Sequence, residues 1–357
     1  MRLIRRYLSA ELLKNWLLVT LVLSAVFALI LFIEEVGRTN ERYTALHALS
    51  YIALSAPQRA IDLAPVSVLL GTLMALGSLA RYSETTVILA SGVSVPRLVA
   101  SMWLPLLLAV IVVGASTEYL AAPLLQRAET ERAVVKSGKL DLLDGGGLWA
   151  NDGGKFINVR NLRLGRIPSG IDLFEFDSSG RLIRGIHGAE AEVSGERRWT
   201  LKDVQRKDLV DGQLQTTHLP SLDIGPFWSQ EELPVLAQSP AGMKPSALAE
   251  YVSYLESTGQ NAHRFRLVLW QKLTNPLAVA VMILFAAPIG IGSPSSRSAS
   301  FGLKLTLGAM FGIGFYMLTQ IVYNAGMLFD LPAPLVALGP PSAILLCAIF
   351  LLLRRGR

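Results

Sequence analysis

The residue types able to do chemistry are sparse and scattered in this chain of 357 residues. His47, His187, His218 and His263 lie far apart, and none begins an H-E-x-x-H, the spacing that sets two imidazoles on one helical face around zinc. The single cysteine, Cys347, falls in an apolar run near the end, so no internal disulfide or thiolate metal cluster can form. A G-x-S-x-G nucleophile turn is absent. The nearest echo of a phosphate-binding loop is Gly153-Gly154-Lys155, followed by Phe156 and lacking the upstream glycine. The sequence therefore offers no catalytic residue, no metal site and no nucleotide cofactor site of its own.

One short segment is more informative: Arg81-Tyr82-Ser83-Glu84-Thr85-Thr86-Val87-Ile88-Leu89-Ala90-Ser91-Gly92-Val93. Ser83 is a candidate N-cap. Val87 and Ala90, with Ile88 and Ser91 beside them, continue one or two helical turns. Gly92 suits the left-handed position after a helix, and Pro96 stops continuation. The helix is too short to cross a bilayer. It is either an interfacial connector or a coupling helix that docks into a cytoplasmic motor subunit, with Glu84 as a charged contact at the end where the helix dipole tolerates an acid.

The elements around it are membrane spans. Hydrophobic residues make up 52% of the chain and charged residues 17%, against about 25% charged in soluble domains. Apolar runs long enough to span occur at Trp16–Ile33, Leu63–Leu79, Leu98–Leu120, Leu267–Ile289, Leu303–Tyr323 and Leu335–Leu353. The first follows an amphipathic, charged start with no cleavage signal and reads as a retained span. Residues 1–122 thus hold three spans and 267–357 three more. With an even number of spans both termini share a side, and that side carries Arg2, Arg5, Arg6, Lys14, Arg81, Arg97, Arg297, Lys304, Arg354, Arg355 and Arg357. The opposite short loops carry only Arg38, Arg42 and Arg59. The bias predicts cytoplasmic termini and a middle domain, 123–266, outside the cytoplasm. The net charge of +6 resides mostly beside the spans, which suits the cytoplasmic leaflet and gives no nucleic-acid signal.

The middle domain reads as β. Candidate strands are Gly147–Ala150, Lys155–Arg160, Ile171–Phe176, Leu182–Ile186, Ala189–Val193, Trp199–Val204 and Leu214–Leu219, with turns at Asp152-Gly153-Gly154, Ser178-Ser179-Gly180, Ser194-Gly195 and Asp211-Gly212. Their spacing predicts a sandwich or jelly roll. A helix over Lys244–Thr258, capped by Ser246 and with Leu248, Val252 and Leu255 on its apolar face, leads back to the membrane. The predicted fold class is an α-helical membrane protein with six transmembrane helices, three plus three, and an inserted all-β, jelly-roll-like domain.

In order and spacing, several short motifs resemble the LptF/LptG family of lipopolysaccharide export permeases. They are Arg81-x-Ser83-Glu84-x-x-Val87-x-x-Ala90-Ser91-Gly92, Ser55-Ala56-Pro57-Gln58-Arg59-Ala60 leading through Asp62 and Pro65, Gly147-Leu148-Trp149, Tyr251-x-x-Tyr254-Leu255-x-x-x-Gly259-Gln260, and Trp270-x-Lys272-x-x-x-Pro276. The Gly-Leu-Trp and Trp-x-Lys segments look more like the LptG type. The resemblance implies a permease half that pairs with an LptF-type subunit. A cytoplasmic LptB-type ATPase dimer, which binds the ATP and magnesium, drives it through the coupling helices, and lipopolysaccharide passes to LptC and a periplasmic bridge. Its place would be the bacterial inner membrane, with the β domain periplasmic.

The residues implied for ATPase binding are Arg81, Ser83, Glu84, Val87, Ile88, Ala90, Ser91 and Gly92. A cavity for such a lipid needs apolar walls and cations near its outer rim, and the candidates are Phe32, Arg38, Arg42, Arg59, Tyr316, Gln320 and Asn324. Tyr316, Gln320, Tyr323 and Asn324 fall on one face of the fifth span. Glu34 and Glu35, where family members tend to be basic, would repel phosphate. Gly308 and Gly312 permit close helix approach, and Glu118 could snorkel or pair with an arginine. The alternatives are a membrane adaptor without energised transport, an ABC permease for another amphiphilic lipid, and a membrane hydrolase, for which no nucleophile–base pair is found.

Overall fold

The computed structural model describes the chain except residues 1, 40–42, 138–147, 153–154, 164–166, 178–179, 195–197, 211–212, 226–239, 258–260, 292–300 and 357. Arg42, Arg297, Arg357, Gly147, Gly259 and Gln260 lie outside the described residues, as do all or part of the four turns named above and the Ser-rich loop 293–300.

The described chain divides into two compact units. The first comprises Met1–Glu34, Ile52–Leu125 and Pro240–Arg357, and the second Glu35–Tyr51 and Gln126–Ser239. The helices are α1 (Arg2–Val36), α2 (Ala45–Arg81), α3 (Glu84–Ala90), α4 (Val95–Ala100), α5 (Trp103–Ser116), a π-helical turn at Thr117–Ala121, and α6 (Ala122–Ser137). After the sheet come α7 (Pro245–Ser257), α8 (His263–Ile291), α9 (Phe301–Leu328) and α10 (Ala333–Gly356). Six stretches among the described residues are long and apolar enough to cross a membrane.

In the helical unit α2 and α8 are the most enclosed. Leu69, Leu73, Ala75 and Leu76 of α2 pack with Val279, Met282, Ile283 and Ala286 of α8 in one core, joined by Leu8, Leu12 and Trp16 of α1. The Trp16 indole N–H donates to Thr72 Oγ1 at 2.9 Å. Gly308 and Gly312 face α2: a Cβ on either would come within 3 Å of Leu73 or Val66. Their close approach is therefore to a helix of the same chain. α1 and α9 instead leave Leu17, Leu21, Leu29, Ile33, Met310, Met317 and Ile321 exposed, a surface suited to lipid or another membrane subunit.

α2 is longer than its apolar run and continues through Pro57 and Pro65. Proline lacks an N–H, so Pro65 leaves the Ile61 carbonyl without its usual helical donor. Asn275 Nδ2 of α8 donates to that carbonyl at 2.9 Å. In hydrocarbon an unmet carbonyl is costly, and this bond lets a proline sit inside a spanning helix.

The β unit is one six-stranded antiparallel sheet in the order β1-β2-β3-β4-β5-β6. Its strands are Leu148–Asp152, Lys155–Arg163, Ile167–Phe176, Leu182–Ser194, Arg198–Val210 and Gln213–Ile224. The inserted β domain is as the sequence indicated, but the strand order is a meander without the crossing connections of a sandwich or jelly roll. Leu182–Ile186 and Ala189–Val193 are one strand, not two. A crease runs across the sheet at that point. The ladder pairing steps over Arg160, Gly170, Ala189, Asp203 and Pro220 in successive strands. Gly170 has φ 63° and Asp203 φ 52°, and Pro220 has no N–H to give. At the crease the inward side chains are spaced by three residues: Gly188 then Ala191, Leu201 then Val204, Leu219 then Leu222. Ile157, Val159, Ile171, Trp199, Leu201 and Val204 are fully buried in a cluster that, among the described residues, is made of sheet residues.

Beyond Ile157, Leu173 and Ile186, charges of alternating sign continue the same face across the ladder. Lys155 meets Glu175 at 3.4 Å, Glu175 meets Arg184 at 2.9 Å, and Arg184 meets Asp208 at 2.6 Å. The Arg184 hydrogen bond, seconded by Arg206, holds the Asp208 carboxyl below the ordinary carboxylate range.

Gly170 is the weakest point of the crease to substitution, because its φ disfavours any side chain and a Cβ there lies 3.3 Å from Arg160 Cβ. Gly170→Val is expected to destabilise the β unit by about 1–3 kcal/mol, read as faster proteolysis within 148–224 in the full chain. Protection equal to the parent would remove the crease from the account of stability.

Candidate coupling and lipid-facing surfaces

The short helix forms where the sequence placed it, with a different start. Ser83 closes the end of α2 in the left-handed conformation, φ 61°, and its side chain makes no capping bond. A capping serine needs extended backbone to reach the next turn's N–H groups, and left-handed Ser83 lacks it. Its carbonyl still accepts from Val87 N at 3.0 Å. The other end is as expected. Ser91 Oγ donates to the Ile88 carbonyl at 2.7 Å, Gly92 N donates to the Leu89 carbonyl, and Gly92 has φ 90°. Pro96 occupies the first turn of α4.

The faces of α3 are distinct. Thr85 is buried, while Ile88 and Leu89 pack against the helical core. Arg81, Thr86, Val87, Ala90, Ser91 and Gly92 are exposed, Val87 by 67%. Glu84 accepts a 2.9 Å hydrogen bond from the Tyr7 hydroxyl of α1. Ile88 thus belongs to the anchoring side of the helix.

The described cavity candidates fall in both units. Arg38 lies in the β-containing unit, and Phe32, Arg59, Tyr316, Gln320 and Asn324 in the helical unit. Phe32, Arg59, Tyr316 and Gln320 are half-buried and Asn324 is exposed. Tyr323, on the same stripe, packs with Leu267, Ala333 and Val336, so part of that stripe serves helix packing.

Glu35 behaves differently from the sequence expectation. Arg132 of α6 grips its carboxylate with two bonds, Nε at 2.7 Å and Nη2 at 2.9 Å, and Arg38 stands at 4.0 Å. The acid is neutralised within the protein and does not present a bare charge. The Arg132 guanidinium also lies 4.8 Å above the Tyr51 ring. Buried Tyr43 stands beside the pair, and desolvation followed by the Glu35 charge pushes its hydroxyl up to about 12. Tyr43, His47, Ser50, Tyr51, Ala128 and Arg132 border a concavity of about 320 Å³. Sequence reasoning missed Arg132 because nothing local links it to a residue 97 positions away.

The histidines are also more engaged than scattered solvent-facing residues would be. His187 Nδ1 bonds Asp172 at 2.7 Å, and His263 Nε2 donates to the Gly326 carbonyl at 3.0 Å. Among the described residues no group of histidine, cysteine and carboxylate could hold a metal.

Comparison with known proteins bears on the whole of this arrangement. The family model described as lipopolysaccharide export system permease LptF/LptG matches residues 6–354. The chain belongs to this family. It is 31% identical over 360 residues to the lipopolysaccharide export system permease protein LptG of Escherichia coli strain K12, covering 98% of each chain. It is 29% identical over 357 residues to LptG of Haemophilus influenzae, covering 99% of this chain and 98% of the relative. The six apolar helices and the sheet inserted between their two halves are thus those of a family permease.

Breaking the Glu35–Arg132 pair leaves a partly buried guanidinium unmatched. Glu35→Ala is expected to cost about 1–3 kcal/mol, less than for a fully buried pair because Arg132 keeps some solvent contact. Glu35→Ala/Arg132→Ala should be no less stable than the single variant in detergent melting curves. Additive losses would mean that the pair is not coupled.

Proposed function

We propose that this chain is the LptG-type permease subunit of an ABC-type exporter that lifts lipopolysaccharide from the inner membrane. The observation that carries the proposal is the family match across residues 6–354, and the short helix α3 with its exposed Val87 supports it. On this reading α3 docks into a separate ATPase of LptB type, which binds the ATP and magnesium. A second permease of LptF type covers apolar helix surface, and the lipid leaves toward LptC and a periplasmic bridge. The arginine and lysine bias between short loops supports cytoplasmic termini and a periplasmic β unit.

Two charge features fit an amphiphile bearing phosphates. Arg38 has a side chain 54% exposed, and Arg59 sits half-buried in α2. Either could meet a phosphate by a charge-assisted bond, and Phe32 and the half-buried Tyr316 and Gln320 supply apolar and polar wall. With Glu35 held by Arg132, the acidic stretch 34–35 is less hostile to an anion than its composition implies.

Affinity purification in mild detergent tests the reading: a co-eluting ATPase, a second permease and lipopolysaccharide are the expected company. Glu84→Lys should lower ATPase recovery at least about tenfold while insertion is kept, since reversing a charge at an interface costs on the order of 2 kcal/mol or more. Full ATPase recovery and normal lipid export with Glu84→Lys would overturn the docking role.

A further inference from the structure

The segment that returns from the β unit to the membrane is held from two sides by opposite charges. Glu118 lies in the π-helical turn Thr117–Ala121 that interrupts the third span. A π turn inserts an extra residue, and so redirects the side chains around it. Among the described residues Glu118 meets Ser246. Its Oε2 accepts from Ser246 N at 3.2 Å, and its Oε1 accepts from the Ser246 hydroxyl. Ser246 is therefore not the cap of α7: it lies inside the first turn, and the third span supplies the capping carboxylate. This places a negative charge where free N–H groups and the helix dipole favour one.

Lys272 of α8 holds the residues just before that helix. Its ammonium donates to the Ala241 carbonyl at 2.6 Å and to the Met243 carbonyl at 2.8 Å. Pro240, Gly242 and Met243 are buried, so the segment is seated in the helical unit. Both signs are matched to backbone polarity, an acid on N–H groups and a base on carbonyls. An ionised lysine in a spanning helix is costly to place, and two main-chain carbonyls help to offset that cost here.

We propose that Glu118 and Lys272 are positioning residues that lock α7 to the third and fourth spans, so that displacement of those spans is passed to the chain entering from the β unit. The lock works as a transmission because it joins two spans, distant in sequence, to one short segment. The proposal rests on the transport reading for its consequence and on geometry alone for the lock.

The test uses the full chain in its purified complex, with Cys347→Ser and spin labels at Ala249→Cys in α7 and Leu273→Cys in α8. Lys272→Met and Ser246→Ala are the releasing variants, and Lys272→Arg is the conservative control. Release should broaden the distance distribution between the labels and lower the lipid exported per ATP hydrolysed by at least about fivefold, with Lys272→Arg restoring both. Ser246→Ala alters an exposed side chain and keeps the test open should Lys272→Met fold poorly. Distances as narrow as in the parent, or an unchanged export ratio in both releasing variants, would overturn the lock. A parent complex that exports no lipid would instead sink the transport reading, while the distances still report on the lock.

Discussion

The apolar stretch of α2 is the most enclosed of the spans, so an unmet main-chain carbonyl on it is costly. Pro65 makes this acute by freeing the Ile61 carbonyl, and Asn275 answers it. Thr72 is likewise met by Trp16, and the small residues Gly308 and Gly312 bring α9 into contact without a cleft. The helical unit is organised around satisfying and surrounding this one helix. The more exposed α1 and α9 keep apolar surface on the outside, where membrane lipid or a second permease can cover it.

The β unit solves a different problem by a related rule. A sheet buries its apolar face only against another layer. The crease through Gly170 and Asp203 folds the sheet over that face, and the ladder from Lys155 to Asp208 ends the apolar interior with paired charges. With its single cysteine in α10, the chain has no disulfide for this unit, so burial and paired charge hold it together.

Much of the architecture was legible because it is periodic or long. Apolar runs of spanning length and alternating strands between glycine turns are local patterns, and they gave the helical halves and the inserted sheet. The short helix was legible through Gly92, but its start was not, because Ser83 has a side chain suited to capping and a backbone conformation set by the end of α2. Leu182–Ile186 and Ala189–Val193 read as two strands, yet Gly188 between them lies in one strand, where Leu201 needs space. The pairs Glu35–Arg132, Glu118–Ser246 and Asn275–Ile61 were invisible because their members are distant in sequence. Three residues that composition could describe only as an awkward acid, an undecided acid and a span-interior amide became an ion pair, a helix cap and a proline's missing donor.

The Asn275–Ile61 bond joins residues 214 positions apart, with all six strands of the sheet between them. A ribosome therefore releases the first half of the bundle with an open carbonyl and cannot supply the amide until the sheet has been made. Until the second half of the bundle is made, that carbonyl needs another donor.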